Sequence, residues 1–525
     1  MLVSSRDLKD GERIEADICV IGAGAAGITL GLELAESRLR VIVLEAGGEA
    51  FDPDVQDSYR GSQSGLPYHD LDVARLRYLG GSTNHWGGYC IPWLPVDFEE
   101  RPGIPLSGWP IGAGDVFPHY PRAQEIVGLG GQDFGTGFWL RPDEDIFDGA
   151  VRPVTCLRTN QRFLAEIYGP ALRATGNVTV LLGAEVMELV ATERADHVDR
   201  VEARGPSGAG FSVAARTVVL ATGGIENARL LLLSDRVQRD GLGNTHGWVG
   251  RCFMDHVSLE AGRFMPSKPL PSGVGGPDRV GPDGADLRPL LAVSEQRRRE
   301  EGLARCLVAF RPLDNAAKAS RGVKALKHLA SRAAQGEVAD NFMHHLGLVL
   351  RDLDQVAELV GERYLGVAGP ARAASLVEAA SIELFLELTP NPASRVTLGE
   401  ERDRLGRRRT HLDWRIGEAD RHTVDRTLAV LATEMGRLGL GRVAEAQLEE
   451  GWQRDVTGSF HHMGTTRMAG DPRWGVVDRD CRVHGIDNLY VAGSSVFATG
   501  GSGTPTLFLT ALAVRLAAHL RSLPA

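Results

Sequence analysis

Short runs of apolar residues alternate with glycine-rich turns and helix-like stretches at the start of the chain. Residues 17–21 form the first run, followed by the turn Gly22-Ala-Gly-Ala-Ala-Gly27, a helix-like stretch at 28–37 and a second apolar run at 41–44. An apolar run without alternation is typical of a strand that is buried on both faces. The order strand, glycine turn, helix, strand therefore predicts a βαβ unit with parallel strands.

The same pattern returns twice, far along the chain. A run at 217–222 ends in two glycines and leads into a helical stretch at 225–233, and a run at 488–493 precedes a long apolar helix at 506–520. Because the three units are widely separated, they predict one nucleotide-binding domain with other material inserted between its parts.

The inserted material has a different character. Residues 381–415 alternate between apolar and polar side chains, which predicts antiparallel strands, whereas residues 261–290 are rich in proline and glycine and are expected to form loops. A basic stretch contains, near helical spacing, Lys318, Arg321, Lys324, Lys327 and Arg332. The solvated face of a surface helix is the simplest interpretation of this stretch, with a membrane or partner surface as the alternative.

The glycines of the first turn have the spacing G-x-G-x-x-G. Gly22 permits the tight turn, Gly24 lets a pyrophosphate approach the backbone, and Gly27 lets the helix pack closely on the strand. The phosphates would then lie at the amide-rich N-terminus of the helix. Glu45 ends the second strand, where a carboxylate can accept both ribose hydroxyls. An acid at this position argues against the 2′-phosphate of NADP.

Composition is that of a soluble globular protein. The 525 residues suffice for two intertwined domains, and the 64 glycines exceed the average share of about 7%, as expected for many tight turns. A formal net charge of −10 gives no attraction to nucleic acid or anionic membranes. The six cysteines are scattered, as in a reduced compartment, and we assign no metal ligands. Since the N-terminus is polar and no apolar run could span a membrane, we expect a cytoplasmic protein.

Several blocks of the sequence together resemble the glucose–methanol–choline (GMC) oxidoreductase family, in the order in which the family has them. They are Val43-Leu-Glu-Ala-Gly-Gly48, Gly80-Gly-Ser-Thr-Asn-His-Trp-Gly-Gly88, Val218-Val-Leu-Ala-Thr-Gly-Gly-Ile-Glu-Asn-Ala-Arg229, His461-His-Met-Gly-Thr-Thr-Arg-Met468 and the last forty residues. The resemblance is nearest to the sugar-oxidising branch that includes pyranose 2-oxidase, and it does not extend to residues 257–380.

The resemblance implies an α/β fold in which a Rossmann-like FAD-binding domain carries an inserted α+β substrate domain built on an antiparallel sheet. We expect the FAD-binding domain to comprise residues 1–91, 176–256 and 456–525, and the substrate domain to comprise residues 92–175 and 257–455. Trp93, Trp109 and Trp414 are candidates for the substrate wall, although tryptophans are more often plain core.

The cofactor implied by the resemblance is FAD. The residues that match its binding segments are Gly22, Gly24, Ala26, Gly27, Glu45, Ala46, Gly80, Gly81, Ser82, Asn84, His85, Trp86, Gly87, Gly88, Val186, Ala221, Thr222, Gly223, Asn227, Gly493, Ser494, Pro505 and Thr506. In the sugar-oxidising branch a histidine in a similar Thr-His-Trp setting is bonded to the flavin 8α-methyl group. His85 stands at the matching place, where it either carries the flavin covalently or is a hydrogen-bonding neighbour of it.

Oxidation of an alcohol removes a hydride from carbon and a proton from oxygen, and histidine titrates in the range that suits the proton acceptor. In the family the base is the histidine three residues before the glycine of a Gly-Thr pair, which here is His461. Adjacent residues of an extended segment face opposite ways, so His462 is expected to point elsewhere and is the second candidate.

The family's second catalytic group is an asparagine or histidine in an Asn-Pro-Thr type of motif, and here Thr504 stands in that place before Pro505. A threonine hydroxyl can donate one hydrogen bond but reaches less far than an amide. Thr504 either works with altered geometry or water, or leaves the role to another residue, or marks a changed reaction. It would also serve as an ordinary helix cap.

These features predict an FAD-dependent oxidoreductase that acts on a hydroxyl of a sugar, glycoside or polyol. The electron acceptor is O2 or another acceptor such as a quinone. The alternative is a non-redox lyase that keeps FAD as a structural element, as the hydroxynitrile lyases of the same family do, and a pure FAD-binding scaffold is a third interpretation. The sequence does not give the oligomeric state.

Overall fold

The computed structural model describes residues 1–161, 163–268, 270–271, 274, 279–280, 286–312, 321–334, 341–353, 356, 379–446, 449, 451–501 and 503–524. Within these residues the strands are β1 Leu2–Ser4, β2 Glu12–Ile21, β3 Val41–Glu45, β4 Gly61–Gly65, β5 Tyr89–Cys90, β6 Val151–Arg158, β7 Val178–Leu182, β8 Glu185–Ala191, β9 Val198–Arg204, β10 Gly210–Leu220, β11 His256–Pro266, β12 Arg279–Val280, β13 Asp286–Val293, β14 Cys306–Pro312, β15 Ala380–Glu387, β16 Arg395–Arg402, β17 Arg408–Trp414, β18 Gly441–Glu445, β19 Thr457–Gly458 and β20 Leu489–Val491.

The α-helices of the described residues are α1 Ala25–Glu33, α2 Pro53–Gln56, α3 Ala113–Val116, α4 Tyr120–Ile126, α5 Leu164–Ala174, α6 Gly223–Leu233, α7 Glu295–Glu301, α8 Arg321–Ala334, α9 Phe342–Arg351, α10 Glu418–Arg437 and α11 Thr506–Ser522. Short 3₁₀ turns, among them Gly81–Asn84 and Ser494–Val496, connect these elements around the site.

The first sheet has the strand order β1-β7-β3-β2-β10-β9-β8, with β20 also paired to β10. β3, β2, β10 and β20 run parallel, so the three strand–glycine–helix units of the sequence meet in one sheet, as predicted. α1 begins at Ala25, earlier than the helix-like stretch suggested, because Gly24 already adopts the extended conformation of a helix N-cap. The carboxyl ends of these parallel strands lie at one edge, where open α/β sheets bind ligands.

The second sheet has the order β18-β11-β15-β14-β13-β6-β5 and is antiparallel. The antiparallel strands predicted for residues 381–415 are confirmed as β15, β16 and β17. The expectation of loops over residues 261–290 is wrong at both ends of that range, where β11 and β13 form, while much of its middle lies outside the described residues.

The glycine in β11 explains why that strand was missed. Gly262 lies at an irregularity in the pairing of β11 with β15, and a side-chain carbon there would come within 2.4 Å of the carbonyl oxygen of Ala444. The glycine is thus required by the close approach of β18 rather than by a loop.

A small third sheet, β16-β17-β4, joins residues 61–65 to residues 395–414. It pairs a segment expected in the FAD-binding domain with one expected in the substrate domain, and the division into two domains stays a prediction. The three tryptophans proposed for the substrate wall are core residues, with Trp93, Trp109 and Trp414 exposed by 2%, 8% and 1%. Trp93 stacks on Phe508 with 3.7 Å between the ring centroids, which ties α11 to the loop after β5.

The basic stretch forms α8, which packs against α9; Lys318 lies outside the described residues. Lys324 and Lys327 are exposed, as expected for a solvated face, but Arg332 is buried and pairs with Asp72 at 3.4 Å. No helix in the described part of the chain is long and apolar enough to cross a membrane.

Candidate active site

A cavity of about 480 Å³ lies where the parallel strands of the first sheet end. Its lining includes the residues that follow β2, β3, β10 and β20, the loop 81–89, the turn 459–462, the start of α11 and one face of the antiparallel sheet. The cavity therefore extends from the nucleotide fold to the inserted sheet.

Most of the residues predicted to bind a cofactor line this cavity. They are Gly22, Gly24, Ala26, Glu45, Ala46, Gly81, Ser82, His85, Trp86, Gly87, Gly88, Val186, Ala221, Thr222, Gly223, Gly493, Ser494, Pro505 and Thr506. The catalytic candidates His461, His462 and Thr504 line it as well. Gly27, Gly80, Asn84 and Asn227 lie behind the lining and hold the segments that form it.

The glycine turn has the geometry that its spacing predicts. A side-chain carbon on Gly27 would lie 1.9 Å from the carbonyl oxygen of Gly22, so only glycine allows the close contact of α1 with the turn. At Gly24 such a carbon would meet no described atom within 4 Å, and none of the described side chains caps the helix that begins after it. The first amides of α1 are thus available to an anion, which the partial positive charge of a helix N-terminus attracts.

Glu45 is held against the same turn. Its Oε2 accepts a hydrogen bond of 2.8 Å from the amide of Ala23, and its Oε1 accepts one of 3.0 Å from the amide of Gly47. Burial raises the pKa of the Glu45 carboxyl, and these backbone donors oppose that shift. Because each carboxylate oxygen has a second lone pair, Glu45 can still accept hydroxyl groups from a ribose in the cavity.

A buried group of charges near Glu45 was not found from the sequence. Arg75 pairs with Glu226 at 3.1 Å, Arg77 pairs with Glu185 at 2.9 Å, and Arg407 donates to the carbonyl oxygen of Val186 at 2.7 Å. The three arginines line the cavity. The pattern Arg-Leu-Arg at 75–77, directly before the glycine loop, was the available signal.

Two asparagines predicted to bind the cofactor hold loops of the site in place by hydrogen bonds. Asn84 donates to the carbonyl oxygen of Leu79 at 2.9 Å beside Gly80, whose φ of 94° favours glycine. Asn227 accepts from the amide of Thr222 at 2.8 Å and donates to Ser495 at 2.9 Å. Asn227 therefore joins the loop after β10 to the loop after β20.

The turn that carries His461 is fixed by one buried carboxylate. Asp255 accepts hydrogen bonds from the amides of Ser459, Phe460 and His461 at 3.0, 3.2 and 2.8 Å, and from the hydroxyl of Tyr68 at 2.5 Å. Burial raises the pKa of Asp255 to about 6, against the opposing effect of these donors. This arrangement supports a φ of +64° at Phe460, which is unusual for a bulky residue.

His461 contacts a second histidine that the sequence analysis missed. Its Nδ1 lies 3.1 Å from Nδ1 of His256, and Nε2 of His256 lies 3.1 Å from the amide nitrogen of Gly503. Burial lowers the pKa of His256 to about 4, while the negative charge of Glu387, followed by the carbonyl groups of Gly500 and Gly501, acts to raise it. Burial, followed by the neighbouring histidines, lowers the pKa of His461 well below its usual value, so its ring is neutral near pH 7. The adjacent pair Asp255-His256 was the sequence signal for both supports.

His462 contacts other groups. Its ring lies 6.0 Å from that of Tyr68 and 5.9 Å from that of Phe253, and its Nε2 finds no hydrogen-bond partner among the described residues. Burial lowers the pKa of His462 to about 3. The two adjacent histidines thus contact different neighbours, although both border the cavity.

Thr504 contacts the start of the inserted sheet. Its hydroxyl oxygen accepts a hydrogen bond of 3.0 Å from the amide of Ile91, which leaves the hydroxyl proton available to a ligand.

His85 lies on the opposite loop, where its ring stacks on Phe460 with centroids 6.1 Å apart and burial lowers its pKa.

Comparisons with known proteins agree with this architecture. Residues 390–513 match the family model of the GMC oxidoreductases. The 2-methyl-1,2-propanediol dehydrogenase of Mycolicibacterium austroafricanum is 23% identical to the chain, and the alignment covers 95% of this chain and 94% of that protein. The fructose dehydrogenase large subunit of Gluconobacter japonicus is 24% identical, with coverage of 96% and 98%.

A solved structure shares the fold. The pyridoxine 4-oxidase from Mesorbium loti superimposes with a TM-score of 0.52 at 20% identity, and the match covers 96% of this chain and 99% of that chain. The C-terminal family match, the similar full-length relatives and the shared fold agree with the resemblance seen in the sequence motifs, and residues 390–513 carry the C-terminal domain of the GMC oxidoreductases.

Proposed function

We propose that this protein is an FAD-dependent oxidoreductase that converts a hydroxyl-bearing carbon of a small alcohol to a carbonyl, with His461 as the general base. The observation that carries the proposal is the single cavity, which runs from the glycine turn and Glu45 to the His461–His256 pair. One ligand can therefore contact both the nucleotide fold and the catalytic histidine.

The residues present fit FAD. Gly24 and the first amides of α1 suit a pyrophosphate and Glu45 suits a ribose. The glycine-rich loop 81–88, Gly493 and Ser494 line the same cavity as His461. FAD supplies, when bound, the acceptor for the hydride that leaves the substrate carbon. The protein residues supply binding, orientation and a place for the proton.

The bond between His461 and His256 allows two tautomers of the pair, and a base role for His461 requires one of them. When Nδ1–H of His461 donates to Nδ1 of His256, Nε2 of His461 keeps a free lone pair and can take the substrate proton. His256 then carries its proton on Nε2, beside the carbonyl groups of Gly500 and Gly501. In the structure the Gly503 amide donates to Nε2 of His256, which corresponds to the opposite tautomer with Nε2 of His461 protonated, so the base form requires that this hydrogen bond is given up. Only the first tautomer leaves a base, and His256 is thus a positioning residue.

Thr504 would hold the substrate oxygen. Its oxygen accepts a hydrogen bond from the Ile91 amide, and its own O–H group can be donated to the substrate hydroxyl. The threonine would thus take the place of the family's asparagine or histidine as a single donor.

For the substrate, the family resemblance favours a sugar, glycoside or polyol, and the relatives named above act, by their names, on a diol and on a sugar. The electrons then pass to O2 or another acceptor. A non-redox lyase reaction on the same scaffold is the competing function, because the asparagine of the family is replaced by Thr504.

The purified protein is expected to be yellow and to need no added NAD. Under argon, an alcohol substrate should bleach the flavin absorbance, whereas a lyase substrate would be turned over without bleaching. His461→Ala should still bind FAD but reduce it about 10²–10⁴-fold more slowly, the usual contribution of a general base. His462→Ala is the matched control. The assignment fails if His461→Ala bleaches at the wild-type rate while His462→Ala does not, and a colourless protein that FAD cannot reconstitute would overturn the proposal as a whole.

A further inference from the structure

The wall of the cavity next to the catalytic groups comes from one face of the antiparallel sheet. β6, β13, β14 and β15 each place a side chain there: Cys156, Leu290, Leu307 and Phe385. Leu307 pairs with Phe385 in the ladder of β14 and β15, and Phe385 packs against the cluster that contains Cys156, Leu290 and Leu307. Ile91, which follows β5, packs with Cys156, Leu290 and Leu307 in one apolar cluster.

This wall adjoins the catalytic end of the cavity rather than the nucleotide end. The amide of Ile91 donates to Thr504, and a side-chain carbon on Gly503 would lie 3.0 Å from Cδ1 of Leu307. Gly503 in turn contacts His256, the partner of His461. A molecule whose hydroxyl lies between His461 and Thr504 therefore has its body against this wall.

Most of the described side chains of the wall offer no hydrogen bond. Ile91, Leu290, Leu307 and Phe385 have no polar side-chain atoms, and a cysteine thiol is a weak donor. Among the described residues of the wall, Tyr89 and Arg288 have strongly polar side chains, and the Arg288 guanidinium donates to the Tyr89 hydroxyl at 2.6 Å. His461 and Thr504, the proposed catalytic groups, hydrogen-bond the hydroxyl that reacts. A sugar ring would bring several more hydroxyls out of water and against hydrocarbon, where each unpaired hydroxyl disfavours binding.

From this wall we infer that the preferred substrate is an alcohol with an apolar body, an alkyl, alicyclic or aryl alcohol, rather than a sugar or polyol. The inference rests on the proposed function, because it assumes that His461 and Thr504 hold the reacting hydroxyl. It differs from the sugar, glycoside or polyol predicted from the sequence, because that prediction came from the setting of His85 and not from the residues of the wall.

A ring series with rising polarity tests the inference on the FAD-loaded enzyme. Cyclohexanol, cyclohexane-1,2-diol and myo-inositol share one carbon ring and differ in the number of hydroxyls. Under argon, the second-order rate of flavin bleaching should fall by about fivefold or more for each added hydroxyl, because each is left unpaired against the wall. Benzyl alcohol should exceed glucose and fructose in the same assay.

Variants of the wall make the test specific. Leu307→Asn should lower the rate of flavin bleaching with cyclohexanol and increase the rate with the polyols relative to it. Leu307→Met keeps the volume and the apolar character, so it should leave the ratio of the two rates unchanged. Flavin absorbance shows that each variant is folded and loaded.

The outcomes separate the two proposals. Equal or faster bleaching by myo-inositol or glucose overturns the apolar-substrate inference and leaves the oxidoreductase function standing. If no alcohol of either class bleaches a flavin that dithionite reduces, the proposed function itself fails, and this inference fails with it.

Discussion

Replacing Asp255 by asparagine tests whether the turn at 459–461 is the support on which catalysis depends. One carboxylate oxygen accepts from Tyr68, Ser459 and Phe460, and the other accepts from His461. An amide has one oxygen and one NH2 group, and the NH2 group can only donate. The arrangement that keeps most bonds turns the NH2 group toward the amide of His461, so that one buried donor faces another.

The effects on stability and on activity should differ. A buried donor without an acceptor costs about 1–3 kcal/mol. In the wild type, burial raises the pKa of Asp255 to about 6. Keeping this carboxyl ionised above that pH therefore costs roughly 3 kcal/mol of folding free energy, which the asparagine variant does not incur. Asp255→Asn should therefore change stability little at pH 8. The lost bond falls on the backbone of His461, so flavin reduction should slow by about 5- to 150-fold.

The pH dependence gives a second readout. A carboxyl whose pKa is raised on folding stabilises the protein most below its unfolded pKa of about 3.9, and this contribution is lost as the pH rises through about 6. Asparagine has no such dependence, so Asp255→Asn should gain stability relative to the wild type between pH 4.5 and pH 8. Thermal melts at both pH values and anaerobic stopped-flow absorbance measure the two effects. A variant that is equally destabilised at both pH values, or that reduces its flavin at the wild-type rate, would refute this reasoning.

Further substitutions test the cofactor end and the catalytic donor. If His85 carries the flavin covalently, acid precipitation should leave the colour in the wild-type pellet and release it from His85→Ala; colour that leaves the wild-type protein rules the bond out. Gly24→Ala should fold but bind FAD more weakly, because the new side-chain carbon enters open space in the cavity. Gly27→Ala should lower the melting temperature of the apoprotein, because its side-chain carbon would lie 1.9 Å from the carbonyl oxygen of Gly22. Equal effects of the two variants on FAD binding and on the melting temperature would contradict these roles. Thr504→Asn should keep or raise the rate of flavin reduction if the threonine is a weaker donor, and a large loss would show that the site is built around the threonine.

Local features of the sequence predicted the nucleotide end of the molecule well. The spacing of Gly22, Gly24 and Gly27 and the acid at Glu45 depend on contacts within one βαβ unit, and the structure has that unit. The catalytic end depends on contacts between distant segments. Asp255 and His461 are separated by 206 residues, and their hydrogen bond is not visible in any local pattern.

The inserted sheet shows a second reason why parts of the structure could not be predicted from the sequence. β11 reads as a loop because it contains Gly262 and ends at Pro266, but the glycine serves the close approach of Ala444 from another part of the chain. The apolar wall was missed for a similar reason, since Cys156, Leu290 and Phe385 come together only through the order of strands in the sheet. Strand order is set by long-range pairing, which residue periodicity does not encode.

The cavity is lined by segments that lie far apart in the chain, and this has a consequence for biosynthesis. The glycine turn at 22–27 is synthesised well before β20 and the residues 503–506 that close the cavity. A nascent chain can therefore form the turn long before it can enclose a cofactor. Flavin loading is expected to follow the synthesis of residues 503–506, and the ligand then stabilises the joined segments by mass action, so that starvation for flavin should expose residues 503–506 and α11 to proteolysis first.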